Sequence, residues 1–217
     1  MLITDIARQV KNQNRYSVFI DNKFAFGVSG ADLLYYKLEI GKEISSELYE
    51  KLLNDIEFTK ARDCAVRYLG YAPHSRKEVL NKLESKEFSQ ASIQQVIELL
   101  TKNGYIDDIA FAVMFISHKS KINNFGKRKI VAHLIQKGVS KEDILAAYAQ
   151  QSEQENENEQ AAAVRALEKK LRGKDLKLMA QDPKIMNRFM SFLARRGFSY
   201  DVIKQAMTEC GINVIIE

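Results

Sequence analysis

Residues 126–147 read GKRKIVAHLIQKGVSKEDILAA. This stretch is the middle copy of a repeated helical unit, and it lies in the most basic part of the chain. Its core, L-I-Q-K-G-V-S-K-E-D-I at 134–144, matches L-E-S-K-E-F-S-Q-A-S-I at 83–93 and L-A-R-R-G-F-S-Y-D-V-I at 193–203. Leu83, Leu134 and Leu193 align, as do Phe88, Val139 and Phe198, then Ser89, Ser140 and Ser199, then Ile93, Ile144 and Ile203. Each copy reads as one turn between two helices. A cation (Lys86, Lys137 or Arg196) suits the negative end of the first helix. Gly138 and Gly197 can close it in the left-handed conformation. An apolar residue packs under the turn, and a serine caps the next helix. Copy one has Glu87 in place of glycine, so either that turn differs or Glu87 bears a left-handed cost of about 1 kcal/mol. A period of roughly 50 residues is that of a helical array whose neighbouring units bury each other's apolar faces.

The whole chain agrees with this reading. Its 217 residues are 46% hydrophobic and 28% charged, as in an ordinary globular protein of one or two domains. Two prolines and ten glycines argue for long helices and against a β-sandwich. Cys64 and Cys210 are too few for a disulfide framework or a zinc site. They read as free thiols in a reducing cytosol. No signal peptide is visible, nor an apolar run of the roughly 18 residues that cross a membrane. The expectation is a cytoplasmic protein without membrane contact.

In chain order, residues 1–44 read as a small β-meander plus helix. Strand patterns cover 3–10, 15–20 and 24–28, with Tyr16, Val18 and Ile20 on one face and Phe24, Phe26 and Val28 on another. Asp21-Asn22 supplies a hairpin turn, and Ser29 with Asp32 boxes a helix through about Lys37. A meander this small needs a helix to cover it. Residues 45–106 read as a long helix, capped by Ser45 or Ser46 and running to about Leu69, then repeat one with helices at 76–86 and 90–103. Ser75 and Glu78 form a capping box there, and Gly104 stops the second of these helices. Tyr105-Ile106 leads into Asp107. Repeat two occupies 107–150, with a helix from Asp108, a loop at 119–126, and helices at 127–137 and 141–150. Residues 151–160 are a glutamate-rich polar run, either a linker or a helix extension. Repeat three and an apolar tail fill 161–217. Its first helix shows Val164, Leu167 and Leu171, eight residues are inserted before its second helix at 184–196, and its third runs over 200–210.

Charge is uneven. Residues 117–217 hold 18 Lys and Arg against 12 Asp and Glu, whereas 1–116 hold 15 against 16. Ser117 to Lys141 contains seven cations (Lys119, Lys121, Lys127, Arg128, Lys129, Lys137, Lys141) and no acid. Arg165, Lys169, Lys170, Arg172, Lys174 and Lys177 form a second cluster, and Lys184, Arg188, Arg195 and Arg196 a third. Such asymmetry points to a polyanionic partner. Phe111, Phe115, Phe189 and Phe192 fall at helical spacing and read as core. Phe125, in the basic loop, is the stacking candidate. Asp107 and Asp108 read as helix caps rather than metal ligands. His74, His118 and His133 are not at ligand spacing, so neither a metal site, a catalytic triad nor a cofactor is expected.

The residues S-R-K-E-V-L-N-K-L at 75–83, G-Y-I-D-D-I-A-F-A at 104–112 and G-K-R-K-I-V-A-H-L-I-Q-K-G-V-S at 126–140 resemble the RecX family, regulators of the RecA recombinase. The N-terminal meander resembles the extension of the family's longer members. Ala72 and His74 stand where many members carry arginine, and His133 where glutamate is common. The resemblance implies a mainly α fold, an elongated curved array of three tandem three-helix repeats behind the β-meander. It implies a monomer without an active site that binds the RecA filament on single-stranded DNA, with duplex DNA a further possible ligand. It implies modulation, usually inhibition, of ATPase, strand exchange and co-protease activities, hence a role in homologous recombination, DNA repair and the SOS response. Lys127, Arg128, Lys129 and Lys137 are the first contact candidates, and Arg195 and Arg196 the second. Lys119, Lys121, Lys169, Lys170, Arg172 and Lys174 extend the set. Gly104, Tyr105, Asp107, Asp108, Gly126, Gly138, Gly197, Ser75 and Glu78 carry the motif. Two alternatives remain. One is a tandem helix-turn-helix protein that binds DNA without a recombinase, although Ile130, Val131, Leu134 and Ile135 require much of the 127–137 helix to be buried. The other is a metal-dependent nuclease using Asp107 and Asp108.

Overall fold

A computed structural model describes residues 1–10, 13–150, 154–172 and 183–212. Among them are one antiparallel sheet and ten helices, so the fold is mainly α. No helix among these residues is long and apolar enough to cross a membrane. The chain divides into two compact units. One comprises Met1–Gly70 and Lys82–Leu99, and the other Tyr71–Asn81 and Leu100–Glu217.

In the first unit, β1 (Ile3–Arg8), β2 (Arg15–Ile20) and β3 (Lys23–Ser29) pair in the order β1-β2-β3. Asp21 and Asn22 join β2 to β3 with φ of +48° and +62°, the left-handed pair that a tight hairpin of this hand requires. Ser29 Oγ accepts the Asp32 N–H at 3.1 Å, and the Asp32 carboxylate accepts the Ser29 N–H at 2.9 Å. This box opens α1 (Gly30–Tyr35), which stops short of Lys37, itself at φ +50°. The long α2 (Ser46–Leu69) is capped by Ser45 and sets Leu52 and Ile56 against Ile3, Val18, Ile20, Phe26 and Val28. It is the covering helix that the meander needs.

Phe24 departs from the sequence reading. A bulge between Val18 and Phe19 pairs Val18 with Phe26 but Phe19 with Phe24. The extra residue reverses which face Phe24 points to. It is 60% exposed, with its ring edge-on to Phe19 at 6.0 Å.

The repeats are carried by α3 (Arg76–Glu84) and α4 (Gln90–Lys102), α5 (Asp108–Lys121), α6 (Lys127–Gln136) and α7 (Lys141–Gln150), then α8 (Gln154–Leu171), α9 (Pro183–Arg195) and α10 (Tyr200–Glu209). Two bounds correct the sequence reading. Helix α5 continues through Lys121, where the sequence reading places a loop from 119, and in this last turn Lys119 rests its ammonium 5.2 Å from the Phe115 ring one turn back. Residues 154–160 are the start of α8, hence helix rather than linker, while 151–153 lie outside the described residues. The eight-residue insertion and most of the apolar tail, from 213 on, also fall outside them.

Within the second unit, repeat two closes around Phe111, Ala112, Ile116, Ile130, Leu134, Val139, Ile144 and Ala147. Repeat three closes around Leu167, Leu171, Phe189, Leu193, Phe198, Ile203 and Met207. Its first helix supplies Leu167 and Leu171 to that core as expected and adds Ala162, Ala163 and Ala166, while Val164 is only partly buried.

The three turns are built alike. Leu83, Leu134 and Leu193 are fully buried, and Ile93, Ile144 and Ile203 nearly so. Ser89, Ser140 and Ser199 accept N–H bonds from Ser92, Asp143 and Val202 at 3.3, 3.0 and 3.4 Å. The Val139 and Phe198 N–H groups donate to the Leu134 and Leu193 carbonyls at 3.1 and 3.3 Å, the bond that closes a helix on a left-handed residue. That residue has φ of +83° in Gly138, +90° in Gly197 and +60° in Glu87. Glu87 therefore adopts the strained conformation instead of escaping it. Replacing it, Glu87→Gly, is expected to stabilise the chain by about 0.5–1 kcal/mol. A lower urea midpoint for that variant would show that the Glu87 side chain contributes more than its backbone costs.

Candidate functional site

The second unit contains two junctions built on one plan. In each, the start of one repeat's second helix meets the turn of the next repeat. At the first junction, Ser75 and Glu78 form their capping box, with Glu78 N–H donating to Ser75 Oγ at 3.2 Å and Ser75 N–H to Glu78 Oε2 at 3.0 Å. The buried Ser75 hydroxyl then donates to the Lys137 carbonyl at 2.6 Å. Arg76 N–H donates to the Asp108 carboxylate at 2.8 Å. The Lys137 ammonium pairs with Glu78.

At the second junction, 51 residues on, Gly126 has no side chain to cap α6. Its N–H donates to the Arg196 carbonyl at 2.9 Å and the Arg128 N–H to the Gly197 carbonyl at 3.1 Å. Lys127 N–H donates to the Glu159 carboxylate at 2.9 Å. The approach is so close that a Cβ on Gly126 would lie 2.5 Å from the Gly197 carbonyl, and one on Gly197 would lie 2.4 Å from Lys129 N. Arg196 Nη1 reaches back to the carbonyls of Asn123 and Asn124 at 2.7 and 3.2 Å.

These junctions revise the part given to two cations. Lys137 and Arg196 extend to the preceding repeat instead of to the ends of their own helices. There they find a carboxylate and two loop carbonyls, stronger partners than a helix dipole. Asp107 caps α5 as expected, accepting from Ile109 and Ala110 N–H at 2.9 Å each. Asp108 caps α3 across the junction instead. Asp108 and Glu159 are 51 residues apart, and so are Glu57 and Asp108. Glu57 accepts from Ser89 N–H at 2.9 Å and the Ser92 hydroxyl at 2.8 Å. The acid at this spacing is a periodic capping residue that comparing only the turns overlooks. Extending the alignment back by 26 residues, and by a further eight in the third copy to allow for its insertion, reveals it. Gly104 takes φ +74°, and Tyr105 beside it is exposed. Among the described residues, no group of three or more His, Cys, Asp or Glu is placed to hold a metal ion.

The remaining cations fall into sets. Lys127 and Arg128 are exposed on the first turn of α6, with Lys127 Nζ 4.6 Å from the Tyr148 ring. Lys129 is half-buried, 4.2 Å from the Phe125 ring. Phe125, the stacking candidate, carries Lys129 on its ring and Arg196 at 5.7 Å. Lys121 is exposed at the end of α5, and Arg195 at the end of α9. Lys169, Lys170 and Arg172 are exposed at the end of α8, with Lys170 Nζ 5.5 Å from the Phe192 ring. Lys174 lies outside the described residues. Phe111 and Phe189 are core, while Phe115 and Phe192 are half-buried under cations. Cys64 and Cys210 are both free thiols.

Two carboxyls at the first junction titrate in opposite senses. Burial pushes Glu78 up, but the bond from Lys137, the Ser75 N–H and the charges of Lys137 and His74 outweigh it and hold Glu78 below its ordinary 4.5. Burial pushes Asp108 up, and the neighbouring Asp143 and Asp107 add to the rise against the Arg76 N–H.

The architecture is that of a helical repeat protein, with three tandem three-helix repeats following a β-meander in the chain and an excess of cations over acids on its C-terminal half. Four family descriptions match in chain order: the Regulatory protein RecX N-terminal domain over residues 1–45, and the RecX first, second and third three-helix domains over 61–100, 107–147 and 157–207. The chain is 35% identical over 208 residues to the regulatory protein RecX of Bacillus subtilis (strain 168), covering 95% of this chain and 76% of that one. It is 32% identical over 209 residues to the regulatory protein RecX of Clostridium botulinum (strain Eklund 17B / Type B), covering 95% of each. A crystal structure of regulatory protein RecX matches with a TM-score of 0.70 at 23% identity, over 95% of this chain and 98% of that one. The crystal structure of RecX from Lactobacillus salivarius matches with a TM-score of 0.62 at 23% identity, over 72% and 98%. This chain belongs to the RecX family.

Gly197→Ala is expected to destabilise the chain by roughly 2–4 kcal/mol, because the added methyl meets backbone and φ is left-handed. An unchanged urea midpoint would contradict the close approach. Glu78 gives a pH test. Its folded pKa is lowered, so its stabilisation is present above about pH 4.5 and lost as pH falls through the lower folded value. Glu78→Gln is expected to lower the midpoint at neutral pH and to flatten the acid limb of the stability profile. A parallel limb in wild type and variant would remove Glu78 from that role.

Proposed function

We propose that this protein is a non-enzymatic cytoplasmic regulator that binds the RecA recombinase filament on single-stranded DNA. It modulates, usually inhibits, the filament's ATPase, strand exchange and co-protease activities, and so acts in homologous recombination, DNA repair and the SOS response. Family membership supports the choice of partner. The observation that carries the contact assignment is the first turn of α6, where Lys127 and Arg128 are exposed while their N–H groups are fixed by the next repeat. Cations held on a sealed helix start lose little freedom when they meet an acidic recombinase surface or DNA phosphates. The mechanism is steric and electrostatic: a monomer bridges successive recombinase subunits and opposes filament extension or the motion coupled to ATP turnover.

The helix-turn-helix reading is less well supported. A recognition helix lays an exposed face along the groove, whereas Ile130 and Leu134 of α6 are buried in the core of repeat two and Val131 packs against it.

The decisive assay is the single-stranded-DNA-dependent ATPase of the cognate recombinase, titrated with this protein. Inhibition is expected well below one copy per recombinase subunit. Reversing Lys127→Glu and Arg128→Glu together is expected to weaken it about tenfold or more with the fold retained. No effect of the wild type on ATPase or filament length, at concentrations that saturate bare DNA, would sink the regulator reading in favour of plain DNA binding.

A further inference from the structure

His133 lies on α6 one turn beyond Lys129 and one turn before Lys137, so the three share a side of the helix. Lys119 of α5 joins them. Its ammonium and that of Lys137 stand 5.2 and 5.7 Å from the centroid of one ring, Phe115. The imidazole packs edge-on to Phe125 at 5.8 Å, the ring that also carries Lys129 and Arg196. Arg196 in turn lies 5.0 Å from Phe192, which carries Lys170. The charged and titratable groups facing the imidazole are therefore Lys129 and Lys137 on its own helix, Lys119 from α5 and Arg196 from the turn after α9. Glu78 of α3, with His74 beside it, is drawn to Lys137.

Cations and rings thus alternate along a row. A phosphodiester chain, with its charges evenly spaced, fits such a row of ring-supported cations better than the irregular carboxylates of a peptide do. We propose that Lys119, Lys129 and His133, beside the Glu78-paired Lys137, bind the phosphodiester backbone of single-stranded nucleic acid, and that binding loads a proton onto His133. The choice of polyanion rests on the function proposed above.

The sign follows from the surroundings. In the free protein, burial and then the charges of Lys129, Lys119 and Lys137 hold the imidazole below its ordinary 6.5. A phosphate among these lysines offsets their repulsion and favours the imidazolium. The bound form titrates at higher pH, so affinity rises as pH falls through the window between the free and bound values.

The test is fluorescence anisotropy of a labelled oligodeoxythymidylate with the full chain, at fixed ionic strength and without recombinase. Wild type is expected to bind about three- to tenfold tighter at about pH 6 than at about pH 8, within the limit for one linked proton. His133→Gln is expected to lose that dependence, and an equal dependence in both proteins overturns the proposal. Proton NMR of the wild-type imidazole reads the same linkage without mutation. Its pKa should rise on adding the oligonucleotide, and an unmoved pKa overturns the proposal even if the variant fails to fold. A rise with polyglutamate but not with oligonucleotide would replace nucleic acid by an acidic peptide. Because no recombinase is present, these outcomes are independent of the ATPase result.

Discussion

The first N–H groups of an α-helix have no acceptor within it, and a buried helix start must find them elsewhere. In the second unit that requirement fixes the arrangement of the repeats. Helix α6 begins at a glycine with no capping side chain, and three successive N–H groups donate to Arg196, Glu159 and Gly197 of the following repeat. Helix α3 carries its own Ser75–Glu78 box and adds bonds to Asp108 and Lys137. In both places the later repeat completes the earlier one. The glycines at 126 and 197 are needed because their backbones touch, which couples this hydrogen bonding to chain geometry.

The same requirement sorts the cations. A lysine or arginine held by a carboxylate or by carbonyls has part of its charge engaged inside the molecule, as Lys137 does with Glu78 and Arg196 with the 123–124 carbonyls. Lys127 and Arg128 are held by their backbones instead and both side chains are exposed, Lys127 with its ammonium 4.6 Å from the Tyr148 ring. Lys119 and Lys129 are intermediate, resting on Phe115 and Phe125. An aromatic ring orients an ammonium without neutralising it. The sequence reading places Lys137 in the same rank as Lys127 and Arg128, although its ammonium is paired with Glu78.

What the sequence disclosed is mostly local. The turn between paired helices repeats because leucine, a left-handed residue, an apolar residue and a capping serine each do a short-range job, visible at fixed offsets. Asp21-Asn22 and the two capping boxes were legible for the same reason. What escaped depends on distant partners. The bulge that turns Phe24 outward depends on the pairing between β2 and β3. The last turn of α5 is supported by a ring contact at Lys119 that a polar, loop-like sequence conceals. The roles of Asp108 and Glu159 belong to the next repeat's contact with the previous one, so nothing near them in sequence announces it.

The periodic acid also explains why the first copy differs. Asp108 and Glu159 each cap the second helix of the repeat before them. Glu57 occupies the same position in the period, but no earlier repeat offers it a helix start. Its carboxylate bonds to Ser89 and Ser92 instead, at the start of α4, and the Ser89 hydroxyl above all holds it below the ordinary carboxylate range. Terminal units of repeat proteins are atypical because they lack one neighbour. Here the difference is confined to the acceptor's partner, with the acid itself retained. The left-handed glutamate at 87, where the later copies have glycine, lies in that same terminal copy. In the last copy the turn backbone packs against the start of α6, which leaves no room for a Cβ at 197. The glycine there is required by the neighbour as well as by φ.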